Sequence, residues 1–73
     1  MHTLDNLYNT LTRKVQIANK DITREIVEDW VGDAGSVDRQ IAFISGALSA
    51  LYSGRYTPDK MVEDILHSAN LDN

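Results

Sequence analysis

Residues 3–31 read TLDNLYNTLTRKVQIANKDITREIVEDWV, with no glycine or proline to interrupt them. The apolar side chains Leu4, Leu7, Leu11, Val15, Ala18, Ile22, Ile26 and Trp30 recur at steps of three or four. That is the period of an amphipathic helix and not the alternation of a strand. Two readings fit the spacing. One is a single helix of about 28 residues, roughly 40 Å long. The other breaks at Asn19-Lys20-Asp21, with the Asp21 carboxylate capping a second helix. A helix of roughly 40 Å is long for so small a chain, so the break is expected, with helices over 3–18 and 21–31.

Outward from this stretch, Gly32-Asp33-Ala34-Gly35 reads as a helix stop and turn. Ser36 stands where it can cap the next helix, and Asp38 falls in the first turn, where the helix dipole favours a carboxylate. That helix is expected over 36–53, stopped by Gly54. Thr57-Pro58-Asp59 combines a cap, a proline suited to the first helical position and an acid. It predicts a last helix over 57–69, with Met61, Ile65 and either Val62 or Ala69 turned inward. The expected fold is all-α: a compact bundle of three or four helices forming one small domain over residues 1–73.

Composition then narrows the function. The chain has 73 residues, 11 acidic and 7 basic side chains, a net charge of −4, 42% apolar residues and no cysteine. It is too short for a Rossmann or barrel enzyme. It can form no disulfide, thiolate metal site or cysteine nucleophile. The acidic balance argues against direct nucleic-acid binding. A helix-turn-helix is also disfavoured, because the stretch between Gly46 and Gly54 is too short for a recognition helix and holds no basic residue. The longest uncharged run, residues 40–54, is too short and too polar to span a bilayer. The opening residues have neither the basic region nor the apolar run of a secretory signal, so a cytoplasmic setting is expected, the host cytoplasm for a viral chain.

Catalysis needs a nucleophile, a base and an orienting group, and neither histidine stands in such a pattern. No glycine-rich phosphate loop is present. No catalytic residue and no cofactor are expected. Glu63 and His67, one helical turn apart, could hold the edge of a metal ion with His2 as a third ligand. A surface pair is the plainer reading, and no metal is expected.

Two surfaces remain as candidates for binding another protein. Residues 21–38 carry six carboxylates against Arg24 alone. Asp21, Glu25, and Glu28 or Asp29 share a helical face, with Asp33 just beyond, and this acidic ridge could dock on a basic partner. In the helix over 36–53, Val37, Ile41, Ile44, Leu48 and Leu51 form one face, while the small residues Ala42, Gly46, Ser49 and Ser53 form another. A helix without charge on any side after Arg39 is expected to be buried all round. Either the rest of the chain wraps it as a central helix, or a second copy closes on the small-residue face to make a homodimer.

Gly35-Ser36-Val37-Asp38 resembles the attachment motif of acyl-carrier proteins, which are also short, acidic and helical. The resemblance implies that Ser36 carries phosphopantetheine. It covers four residues, has Gly35 where the family has aspartate, and leaves room for one helix after Tyr56 where the family has two. The layout of short helices is also similar to the Hha/YmoA nucleoid modulators, with no diagnostic residue to carry over. The helix with Ile41, Ala42, Gly46 and Ala50 resembles those of small bacteriophage accessory proteins. The expected function is a small acidic, non-enzymatic protein-binding module, an accessory protein or inhibitor of a host protein of the phage or mobile-element type. A virion or assembly component is the alternative, and a carrier-like domain modified at Ser36 ranks below it.

Overall fold

The computed structural model describes residues 3–71, which form four helices: α1 (Thr3–Ala18), α2 (Arg24–Gly32), α3 (Val37–Ser53) and α4 (Pro58–Leu71). No strand occurs among the described residues, and the helices pack as an all-α bundle. α1 packs against each of the other three, whereas α3 and α4 hardly meet.

The core follows from the apolar spacing. Tyr8, Leu11 and Val15 form the buried seam of α1, and Ile22, Val27, Val31, Ile44, Met61 and Ile65 close on it from the rest of the chain. Met61 and Ile65 are the inward residues of α4, and Val62, not Ala69, packs beside them. The firm helix boundaries carry the caps that their residues suggest. Ser36 Oγ accepts from the Arg39 amide at 3.3 Å, and Thr57 Oγ1 accepts from the Lys60 amide at 3.1 Å. Gly54 ends α3 with φ +82°, a left-handed conformation that costs glycine nothing and other residues strain.

Three expectations are corrected. First, Asp21 does not cap α2. The helix starts at Arg24, and Thr23 is the cap, accepting from the Ile26 amide at 3.3 Å. Asp21 sits in the preceding turn, where its amide donates to Asn19 Oδ1 at 3.0 Å. Second, the inward positions of α2 are Val27 and Val31, while Ile26 and Trp30, one residue earlier, are only half-buried. The non-helical turn between α1 and α2 resets the phase, so a period carried through it selects the wrong stripe. Third, α3 is not central. Ile44 is its one buried residue, and α1, which like α2 meets all three other helices but more extensively, lies at the centre.

Polar links also stitch the helices. The Tyr8 hydroxyl donates to Gln40 Oε1 at 2.6 Å, and Gln40 Nε2 donates to the Gly35 carbonyl at 2.8 Å, tying α1 to the start of α3. The Tyr56 hydroxyl donates to Asp64 Oδ2 at 2.5 Å, fixing the α3–α4 connection onto α4. Burial, then the hydrogen bond and the negative charge of Asp64, hold the Tyr56 hydroxyl protonated well above the ordinary tyrosine range. A group whose pKa is raised on folding contributes fully below its unfolded pKa and loses that contribution as the pH climbs towards its folded value. Tyr56→Phe is therefore expected to cost about 1 kcal/mol at neutral pH, read by urea denaturation. The wild type's advantage should shrink once the pH passes about 10. Equal stability of the two proteins at neutral pH would show that the hydroxyl contributes nothing net.

Candidate protein-docking sites

The acids of the predicted ridge part company in the structure. Glu25 and Asp29 are exposed, on the side of α2 away from Val27 and Val31, and Asp33 follows as the C-cap. Glu28 points instead toward α1 and accepts from Arg24 Nε at 2.5 Å. The same guanidinium reaches Asp5 at 2.6 Å and Asn9 Oδ1 at 2.7 Å, and lies 5.6 Å above the centre of the Tyr8 ring. Its hydrogen bonds to Asp5 and then Glu28 raise the Arg24 pKa further. Arg24 and Glu28 are thus a strap between α1 and α2, and Glu28 is not part of an outward ridge.

What the fold brings together is Asp29, Asp33 and Trp30. They border a cleft of about 300 Å³ between α2 and the end of α4, lined also by Ile26, Ile65 and Ser68. The Trp30 ring packs edge-on against Phe43 of α3, with centroids 5.0 Å apart and planes at 88°. This edge-to-face geometry suits the ring quadrupoles and holds the indole at the cleft. Neither aspartate has a cationic partner among the described residues. The sequence period assigned Trp30 to the core. The sequence cue for its place at the cleft was a tryptophan next to Asp29 and three residues before Asp33.

Ala42, Gly46, Ser49 and Ser53 do share one face of α3, and all four are exposed. A Cβ at Gly46 would meet nothing within 4 Å. Among the described residues nothing covers the stripe, so their packing does not explain it. Phe43 and Tyr52 flank it, the latter 95% exposed.

Between α1 and the C-terminal half of α3 lies a further groove, of about 420 Å³, which the sequence did not suggest. Ser36 is exposed and serves as the α3 cap. Glu63 lies 3.9 Å from Lys60, which also approaches Asp64 at 3.7 Å. His2 lies outside the described residues, and among those described no three or more ligating side chains are placed to hold a metal. No described helix is long and apolar enough to cross a membrane.

No family model, curated protein or solved structure matches the chain.

Because Gly46 is exposed in mid-helix with free space around it, Gly46→Ala should act through helix propensity alone. A stabilisation of about 1 kcal/mol, or a Tm rise of roughly 4–8 °C, is expected in dilute solution by thermal circular dichroism. A fall in Tm would mean that the glycine is required for a close approach.

Proposed function

We propose that the chain is a small, non-enzymatic protein-binding module that receives a basic side chain of its partner in the cleft between α2 and α4. The observation that carries this reading is the placement of two unpaired carboxylates, Asp29 and Asp33, beside the half-buried Trp30. Carboxylates take an arginine fork or a lysine ammonium by charge-assisted hydrogen bonds, and an indole face attracts the same cation. The net charge of −4 adds long-range steering of a basic partner. An accessory or inhibitory role in the cytoplasm would be exerted by occupying a partner's surface.

Trp30 is the sole tryptophan, so its emission reports directly on the cleft. Titration with an arginine-rich peptide at low salt should change that emission saturably. Asn at both Asp29 and Asp33 should weaken binding roughly tenfold, whereas Glu63→Gln should not. Emission unaffected by the peptide, or equal binding by the double variant, would end this reading.

A second reading rests on a separate observation. From Gln40 to Gly54 α3 carries no charge, and its outer face is bare. Self-association through that face would bury Ala42, Gly46, Ser49 and Ser53 against a second copy. A Cβ at Gly46 meets nothing within 4 Å, so Gly46→Leu should obstruct a close approach of the second copy while the monomer keeps its fold. Sedimentation should show a dimer at high protein concentration and a monomer for Gly46→Leu. A wild-type monomer under those conditions refutes it.

A further inference from the structure

The groove between α1 and α3 has two helical walls. α1 supplies Thr10, Lys14 and Ile17, with Arg13 bordering the adjoining hollow. These positions are spaced i, i+3, i+4 and i+7, one face over two turns, or about 10 Å. α3 supplies Leu48, Leu51 and Tyr52, spaced i, i+3 and i+4, and Pro58 at the start of α4 closes one end. Ile17 is 75% exposed and Tyr52 95%, and these are the two most exposed large apolar side chains among the described residues. They stand at the same groove while Leu48 and Leu51 lie half-buried between them. An apolar concentration of this kind at one place marks a docking surface more strongly than the same residues scattered.

Charge distinguishes this groove from the rest of the protein. In a chain of net −4, its charged lining residues are Lys14 and, next to it, Arg13, and no carboxylate lines it. Asp59, one residue beyond Pro58, does not line it either. Neither Arg13 nor Lys14 has an ion-pair partner among the described residues. Two other cations are held by carboxylates: Arg24 by Asp5 and Glu28, and Lys60 by Glu63 and Asp64.

We propose that the α1–α3 groove binds an amphipathic helix of a partner protein, seating its apolar stripe on Ile17, Leu48, Leu51 and Tyr52 and its acidic flank on Arg13 and Lys14. Two helix faces with i, i+3, i+4 spacing leave a trough shaped for a third helix, the helix-in-groove mode of recognition. A strand has no edge to join, because the described residues form no sheet. The site is separate from the α2–α4 cleft and opposite to it in sign, so the two would take different segments.

The test uses three synthetic amphipathic peptides of about four helical turns that share one leucine stripe and differ only in flanks of glutamate, glutamine or lysine. Nuclear magnetic resonance titration of the full chain should map the glutamate peptide to Ile17, Leu48 and Tyr52. It should bind roughly tenfold tighter there than the lysine peptide at low salt, with the gap closing as salt rises. Reversing both Arg13 and Lys14 to glutamate should invert the order. Asn at Asp29 and Asp33 should leave groove binding unchanged, which separates this site from the cleft. Equal affinities in the groove, perturbations elsewhere, or no binding by any of the three overturn the proposal. Shifts of Ile17 and Tyr52 with protein concentration alone, abolished by charge reversal at Glu25 and Asp29, would also overturn it, by assigning the groove to a second copy.

Discussion

The buried seam of α1 is the constraint on which the bundle depends. Tyr8, Leu11 and Val15 occupy one stripe of a single helix, yet three other helices pack against that helix. A small domain buries a modest fraction of its surface and cannot give each pair of helices its own core. One helix must serve all the others. The placement of polar links follows from this. Arg24 straps α2 onto α1 through Asp5, Asn9 and Glu28, and Tyr8 reaches over to Gln40 to locate the start of α3. A shift of α1 would therefore disturb its packing against all three other helices together.

The helical content and the firm stops were legible in the sequence because they are local. Ser36, Gly54 and Thr57 act on backbone groups within a turn of themselves. The inward face of α4 was legible too, and that of α1 in part. Leu11 and Val15 are buried, but so is Tyr8, which the apolar period passed over, while Ala18 at its end is exposed. What could not be read was anything that crosses a break. Five residues separate Ala18 from Arg24, and without the turn geometry the period of α1 cannot be carried into α2. Hence Ile26 and Trp30 were expected inside where Val27 and Val31 lie. The surroundings of α3 failed for a related reason. Its lack of charge announces a helix that could be buried, but only the arrangement of the others decides which side is covered.

The same distinction governs the surface. An acidic run along the chain does not make an acidic ridge in space, because Glu28 turns to Arg24 and Asp21 lies ahead of the helix. Asp29 and Asp33 are left beside Trp30, whose indole is held by Phe43 from a third helix. The groove lined by Lys14, Ile17 and Tyr52 combines residues about 35 positions apart in the chain, and no local pattern signals such a juxtaposition. Among the described residues, two unpaired acids thus border one hollow, and two unpaired bases lie at another on a different side of the bundle. A protein arranged this way is oriented by an electric field before it touches a partner.

The shallow seating of α3 also bears on time. A helix that fully buries only Ile44, hardly meets α4, and exposes most of its outer turns is held chiefly by its seat on α1. Its amides are accordingly the ones to exchange with solvent through partial opening, well before the bundle unfolds as a whole, while those of α1 wait for the global event. Trp30 is tied to this motion, since lifting α3 takes Phe43 away from the indole. The motion of α3 would thus move a wall of the α1–α3 groove directly, and reach the α2–α4 cleft only through the indole of Trp30.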